Sequence, residues 1–289
     1  MNENPTRRRF LKLAGGSAAS LAAWIGAGRE TRAQEGPAHE RPATGKPPAF
    51  RLGLASYSTR KFSLDETLVM ANRVGLKTIC LKSFHLPLSA SPEQCAAARE
   101  KVEAAGLTLY GGGVIGMPDE ERTRRAFEYA KAAGMRTIVG VPRPPVLPLV
   151  NELVQKYDIQ VAIHNHGPGD KFYTTPESAI EQIGDLDRRI GLCMDIGHTV
   201  RAGACPIKDA KRFADRLLDV HMKDVSEAAA QGESVEIGRG VIDIPGFLAT
   251  LIEIGYSGVV ALEYEKDPDD PLPGLAESVG YVRGVLAAL

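Results

Sequence analysis

Eight short apolar runs, separated by longer segments with helical spacing, constrain this 289-residue chain more than any other feature. The runs lie at 51–57, 78–83, 107–114, 137–141, 160–164, 190–195, 217–221 and 259–263. Between them, segments such as 64–74, 92–105 and 120–133 place apolar residues three and four apart, the spacing of a helix with one buried face. Ser63 and Ser91 precede acidic first turns and read as helix N-caps. Gly75, Gly106, Gly134 and Gly255 follow the last periodic residue, where a left-handed C-cap favours glycine. Strict strand–helix alternation implies parallel strands joined by helical crossovers. Eight such units within 50–289 predict one α/β domain, a (β/α)8 TIM barrel, whose usual size is about 250 residues. A doubly wound sheet would carry a glycine-rich phosphate loop after its first strand, and Leu54-Ala55-Ser56-Tyr57-Ser58 has none.

The first 33 residues have a different character. Thr6-Arg7-Arg8-Arg9-Phe10-Leu11-Lys12 precedes a short, glycine-interrupted apolar run, and Thr31-Arg32-Ala33 offers small residues for a signal peptidase. This segment resembles a twin-arginine (Tat) signal peptide, which implies export to the periplasm or beyond. Residues 34–49 are rich in Pro, Gly and Glu, lack periodicity and read as a linker. Cleavage after Ala33 removes six basic residues, two acidic ones and Trp24, the only tryptophan. The remainder is thus more acidic than the formal charge of −1 for the whole chain. No basic excess exists to hold a phosphate backbone, so nucleic acid is excluded as the expected partner. Once the leader is gone, no stable membrane association is expected. Cys80, Cys95, Cys193 and Cys205 form no C-x-x-C pair, so no zinc ribbon or redox motif is indicated. A homo-oligomer is left open by the sequence.

Barrel chemistry gathers at the C-terminal ends of the strands. Five of the six histidines fall there. Lys82 and His85 follow the second run, and His164 and His166 the fifth. Asp195 and His198 follow the sixth, His221, Lys223 and Asp224 the seventh, and Glu263 and Glu265 the eighth. Convergent imidazoles and carboxylates supply the nitrogen and oxygen donors of a divalent metal site. Taken singly, each residue also has a structural explanation. Asp195 suits a helix N-cap, Glu263 a salt bridge, and Lys223 a pair with Asp224. Arg201 and Arg239 stand in glycine-rich loops, as substrate clamps or as solvated loop residues.

Asp195-Ile196-Gly197-His198, His221-Met222-Lys223-Asp224 and Leu262-Glu263-Tyr264-Glu265, in that order, resemble the xylose isomerase-like TIM barrels of the sugar phosphate isomerase/epimerase group. The likeness spans about residues 50–289. It implies a divalent ion (Mn, Zn, Co or Mg) held by Asp195, His221 and Glu263 and by a residue after the fifth strand. That last position is glutamate in many epimerases and His164 here, with His166 as the alternative. The resemblance further implies a small-molecule sugar substrate. Lys82, His85, His198, Arg201 and Glu265 would bind it, and Glu263, His166 and Lys223 would act in catalysis.

In that family the metal chelates a carbonyl and a neighbouring hydroxyl of a keto sugar, and glutamates on opposite faces move the proton through an enediolate. A ligating imidazole has no spare lone pair for such work, so His164 weakens the symmetric scheme. The expected activity is a metal-dependent sugar isomerase or epimerase. The alternative is a lyase or dehydratase performing beta-elimination on a 3-keto sugar or keto-glycoside, and a minor one is a sugar-binding barrel without catalysis. A barrel endonuclease of the endonuclease IV type needs a histidine two residues after an aspartate near strand 7, and Asp224 is followed by Val225 and Ser226.

Overall fold

The computed structural model describes residues 48–289. The expected leader at 1–33, most of the 34–49 linker, Trp24 and His39 lie outside the described residues. Eight parallel strands form a closed barrel. They are β1 (Arg51–Ala55), β2 (Thr78–Leu81), β3 (Thr108–Met117), β4 (Thr137–Pro142), β5 (Gln160–His164), β6 (Ile190–Asp195), β7 (Leu217–Met222) and β8 (Val259–Leu262). Each strand pairs with its chain neighbour, and β8 closes on β1 with Arg51 beside Val259. Helices α1 (Leu64–Arg73), α2 (Pro92–Ala104), α3 (Glu120–Ala132), α4 (Leu147–Tyr157), α5 (Pro176–Ile183), α6 (Ile196–Arg201), α7 (Pro206–Arg212), α8 (Ile244–Glu253) and α9 (Leu272–Ala288) cover the outside. No helix among the described residues is long and apolar enough to cross a membrane.

The local signals act as their chemistry requires. Ser63 and Ser91 form capping boxes with Glu66 and Gln94, satisfying backbone donors that the first helical turn leaves free. Gly75, Gly106, Gly134 and Gly255 all adopt positive φ, between 67° and 75°. Several strand boundaries differ from expectation, β2 for instance ending at Leu81 rather than at 83. β1 ends at Ala55 because Ser56–Thr59 turns into a 3-10 helix, with the Ser58 hydroxyl donating to the Ala55 carbonyl. β3 extends to Met117. A further two-stranded hairpin, Asp224–Val225 with Ser234–Val235, interrupts the loop after β7.

The strands carry two separate apolar layers. Leu54, Ile79, Ile138, Leu192, Val220 and Val260 face the helices in the larger core. Ala55, Cys80, Tyr110, Val139, Ala162, Cys193, Val259 and Ala261 fill the barrel interior. Both faces of each strand are therefore buried, so the strands read as continuous apolar runs rather than alternating ones. Side chains two apart on a strand share a face. His164 thus follows Ala162 to the inside, Asp195 follows Cys193, and Glu263 continues the face of Ala261.

Candidate functional site

Strand register brings the rim residues together. His164 is opposite Cys193 across β5 and β6, Asp195 is opposite His221 across β6 and β7, and His221 is opposite Ala261 across β7 and β8. The Glu263 N–H donates to the Met222 carbonyl at 2.9 Å, which fixes the next inward position. One ligand-type atom from each of His164, Asp195, His221 and Glu263 lies within 4.8 Å of the other three, and all four residues are buried. His164 Nε2 is 3.1 Å from His221 Nδ1 and 3.4 Å from Asp195 Oδ2. His221 Nδ1 is 3.3 Å from Glu263 Oε2.

This donor set fits a divalent cation. Two imidazole nitrogens converge on two carboxylate oxygens in a buried site, a donor combination that divalent metal sites use. Asp195 Oδ2 and Glu263 Oε1 make no hydrogen bond among the described residues, although both are buried. Each has a lysine close by without hydrogen-bond geometry. Lys223 Nζ is 2.9 Å from Asp195 Oδ2, and Lys82 Nζ is 2.7 Å from Glu263 Oε1. Asp195 also caps α6, its Oδ1 accepting from the His198 N–H at 2.8 Å. The capping role and the cluster role therefore belong to different oxygens of one carboxylate.

Lys223 is 4% exposed, and its ammonium touches three acids. It lies 2.9 Å from Asp195 Oδ2, 2.9 Å from Glu263 Oε2 and in contact with Glu265. It does not pair with Asp224, whose carboxylate instead accepts the N–H groups of Val225, Gly238, Gly240 and Ile242 and ties down the hairpin loop. Burial opposes the charge on Glu263, but Lys223, Lys82 and His221 override it and hold this carboxyl well below the usual range. Burial likewise opposes ionisation of Asp195, and Lys223 and His198 reverse it. Both lysines are pushed up despite burial, Lys82 chiefly by Glu263 and Lys223 chiefly by Asp195.

Beside the cluster opens a cavity of about 300 Å³ lined by Tyr57, Lys82, Ser83, Phe84, Val114, His164, His166, His198, Glu263 and Glu265. Of the expected substrate contacts, Lys82, His198 and Glu265 lie on its wall, as does His166. His85 does not. Its Nδ1 meets the Ser56 hydroxyl at 2.8 Å, and its Nε2 meets the Thr67 hydroxyl and the Phe62 carbonyl, both at 3.0 Å. Both ring nitrogens brace the turn after β1, so neither is free for a ligand. Arg201 donates to the Ala230 carbonyl and reaches within 3.5 Å of Nδ1 of the wall residue His198, while Arg239 pairs with Glu277; neither lines the cavity itself.

Three features escaped sequence reasoning. Tyr57 and Phe84 give the cavity an aromatic wall, with ring centroids 6.0 Å apart. Asn165, between the two histidines, accepts the Asp195 N–H through Oδ1 and donates through Nδ2 to the Asp195 carbonyl and the Thr199 hydroxyl, locking β5 to β6. Asp219 is fully buried inside the barrel, where burial raises its carboxyl to about 6. Its signal was available: a carboxylate two residues before His221 in an apolar strand must share that histidine's inward face.

Burial also lowers the basicity of His164, His166 and His198. Burial disfavours the charged form of these rings in the folded protein, His164 most strongly, while the unfolded chain takes up protons below about pH 6.5. The unfolded state then binds more protons, so stability rises with pH and falls on acidification through that value. The metal-free protein is expected to unfold at lower denaturant at pH 5.5 than at pH 7.5, and equal midpoints would contradict the neutral buried state.

Comparison with known proteins supplies the remaining context. The family model described as "Xylose isomerase-like TIM barrel" matches residues 70–285. The inosose dehydratase of Geobacillus kaustophilus is 33% identical over 133 residues, which cover 40% of this chain and 42% of that protein. The chain spans less than half the length of the curated relatives it matches. A solved structure of L-ribulose 3-epimerase superimposes with a TM-score of 0.68 at 15% identity, covering 83% of this chain and 95% of that one. The IOLI protein, solved with a bound zinc atom, superimposes with a TM-score of 0.69 at 18% identity, covering 83% of this chain and 99% of that one.

Proposed function

The chain belongs to the xylose isomerase-like TIM barrel family, and from that premise we propose that it is a divalent-metal-dependent enzyme acting on a keto sugar or keto polyol. It takes a proton from the carbon beside the carbonyl and works as an isomerase or epimerase through an enediolate. The observation that carries this reading is the buried convergence of His164, Asp195, His221 and Glu263 at the wall of a cavity at the C-terminal mouth of the barrel. Zinc in the IOLI protein and the epimerase name of another structural neighbour accord with it.

His164 Nε2, Asp195 Oδ2, His221 Nδ1 and Glu263 Oε2 would hold the ion. When bound, it supplies Lewis acidity toward a carbonyl and an adjacent hydroxyl. Glu263 lines the cavity, and its Oε1 takes the proton, kept ionised by Lys82 at 2.7 Å. The two ammonium groups of Lys82 and Lys223 offset negative charge that develops on the substrate's oxygens. His166 or Lys82 returns the proton, and His198 and Glu265 orient hydroxyls. The Tyr57–Phe84 wall takes the less polar face of the sugar. The twin-arginine-like leader supports export, which makes extracellular keto sugars and glycosides better substrates than phosphorylated ones.

Beta-elimination is the second reading, favoured by His164. With histidine at the end of β5, the cluster has one carboxylate, Glu263, lining the cavity, and one base suffices: it removes the proton and passes it to the hydroxyl or glycosyl oxygen, which departs as water or an alcohol. The relationship to an inosose dehydratase points the same way. Zinc- or manganese-loaded protein incubated in deuterium oxide with keto sugars, keto polyols and 3-keto-glycosides tests both. Deuterium at the carbon beside the carbonyl with retained mass composition identifies isomerisation, and a product lighter by one water or one alcohol identifies elimination. No exchange with any metal and any substrate of the set would overturn both readings.

A further inference from the structure

Asp219 is the least expected side chain inside the barrel. It is fully buried on β7 among Cys80, Val139, Ala162, Cys193 and Ala261, where an ionisable group gains nothing from the surrounding apolar surface. Tyr110 reaches it from β3 and donates its hydroxyl to the carboxylate, 3.2 Å from each oxygen. A carboxylate–phenol pair buried in this way is less favourable than two apolar side chains of the same size, so packing alone does not account for it.

On the side of the cluster, Asp219 faces His221. The histidine's Nδ1 faces the cluster, 3.1 Å from His164 Nε2 and 3.3 Å from Glu263 Oε2. Its Nε2 points the other way, is buried and makes no hydrogen bond among the described residues. Asp219 Oδ2 lies 4.0 Å from that Nε2. A neutral imidazole carries one proton, and a nitrogen that ligates a cation must present its lone pair. The proton of His221 therefore belongs on Nε2, on the side of Asp219.

We infer that Asp219, held by Tyr110, is a positioning residue for the metal centre: it keeps the His221 proton on Nε2 so that Nδ1 faces the ion. The inference rests on the metal-site reading above, and adds that the site extends one layer down into the barrel. The signature is an affinity that depends on an acceptor at position 219 rather than on its charge. Partners of this kind typically contribute roughly 10- to 100-fold in metal affinity.

The test uses full-length protein stripped of metal, titrated with zinc against a chromophoric chelator and, separately, loaded with cobalt for its visible absorption spectrum. Asp219→Val is close in size and suits a strand better than aspartate, but offers no acceptor. It is expected to bind zinc roughly 10- to 100-fold more weakly and to shift the cobalt bands, with a lower metal-free melting temperature because the buried Tyr110 hydroxyl loses its acceptor. Asp219→Asn keeps an acceptor oxygen without the charge, and is expected to recover most of the affinity and the parental spectrum. Parental affinity in a folded Asp219→Val overturns the inference. So does an Asp219→Asn variant as weak as Asp219→Val, because the effect is then one of charge. If Asp219→Val does not fold, Tyr110→Phe decides, with weaker zinc binding expected and parental affinity and spectrum overturning. Failure of the parent itself to bind zinc or cobalt overturns the metal-site reading instead, and this inference with it.

Discussion

Glu263→Gln is expected to lower turnover of the keto substrate by roughly 10² to 10⁴, the range that a positioned general base contributes. The substitution keeps the shape of the side chain and leaves a neutral amide oxygen beside His221. It removes the charge that Lys82 and Lys223 hold from two sides, at 2.7 Å and 2.9 Å. Zinc affinity should fall as well, because one of two anionic donors is lost. The decisive measurement is therefore made with metal at saturation, following solvent deuterium entering the carbon beside the carbonyl. Exchange at the parental rate in metal-saturated Glu263→Gln would mean that another group is the base, and Glu265, on the same cavity wall, would be the next to test.

Lys223→Met should act on stability as much as on chemistry. The methionine fills a similar volume, but Asp195 and Glu263 then stay buried without the ammonium that touches both. Removing one partner from a buried charged group typically costs about 3–5 kcal/mol, because the carboxylates left behind lose their compensation. The metal-free variant should accordingly unfold at clearly lower denaturant than the parent near neutral pH. A bound divalent cation supplies positive charge at the same carboxylates and stabilises only the folded state, so saturating zinc should recover much of the loss. A metal-free variant as stable as the parent would show that the lysine carries no such load. A variant that zinc fails to rescue would argue against Asp195 and Glu263 as ligands.

The architecture was largely legible because its determinants are local. Strand positions followed from apolar runs bounded by caps, and the Ser63 and Ser91 boxes and the four positive-φ glycines are set by contacts within a few residues. The candidate cluster was legible for a related reason. A parallel barrel puts the ends of consecutive strands side by side, so His164, Asp195, His221 and Glu263 converge once the strand ends are known. Side chains that depend on distant partners were not. His85 looked equivalent to Lys82 in sequence, yet hydroxyls from Ser56 and Thr67 occupy its ring. Arg201 stands behind the wall rather than in it, held by the Ala230 carbonyl and 3.5 Å from His198 Nδ1.

By itself, then, the sequence determined the alternation of strands and helices, the helix ends, and which rim positions carry donors, since each depends on backbone periodicity and short-range hydrogen bonding. The tertiary structure alone decided how those donors are shared. It gave Asp195 one oxygen for the α6 N-terminus and another for the cluster, set Lys223 among three acids rather than beside Asp224, and placed Asp219 beneath His221. These outcomes depend on register between strands and on which charges become buried together, and both arise only when the barrel closes.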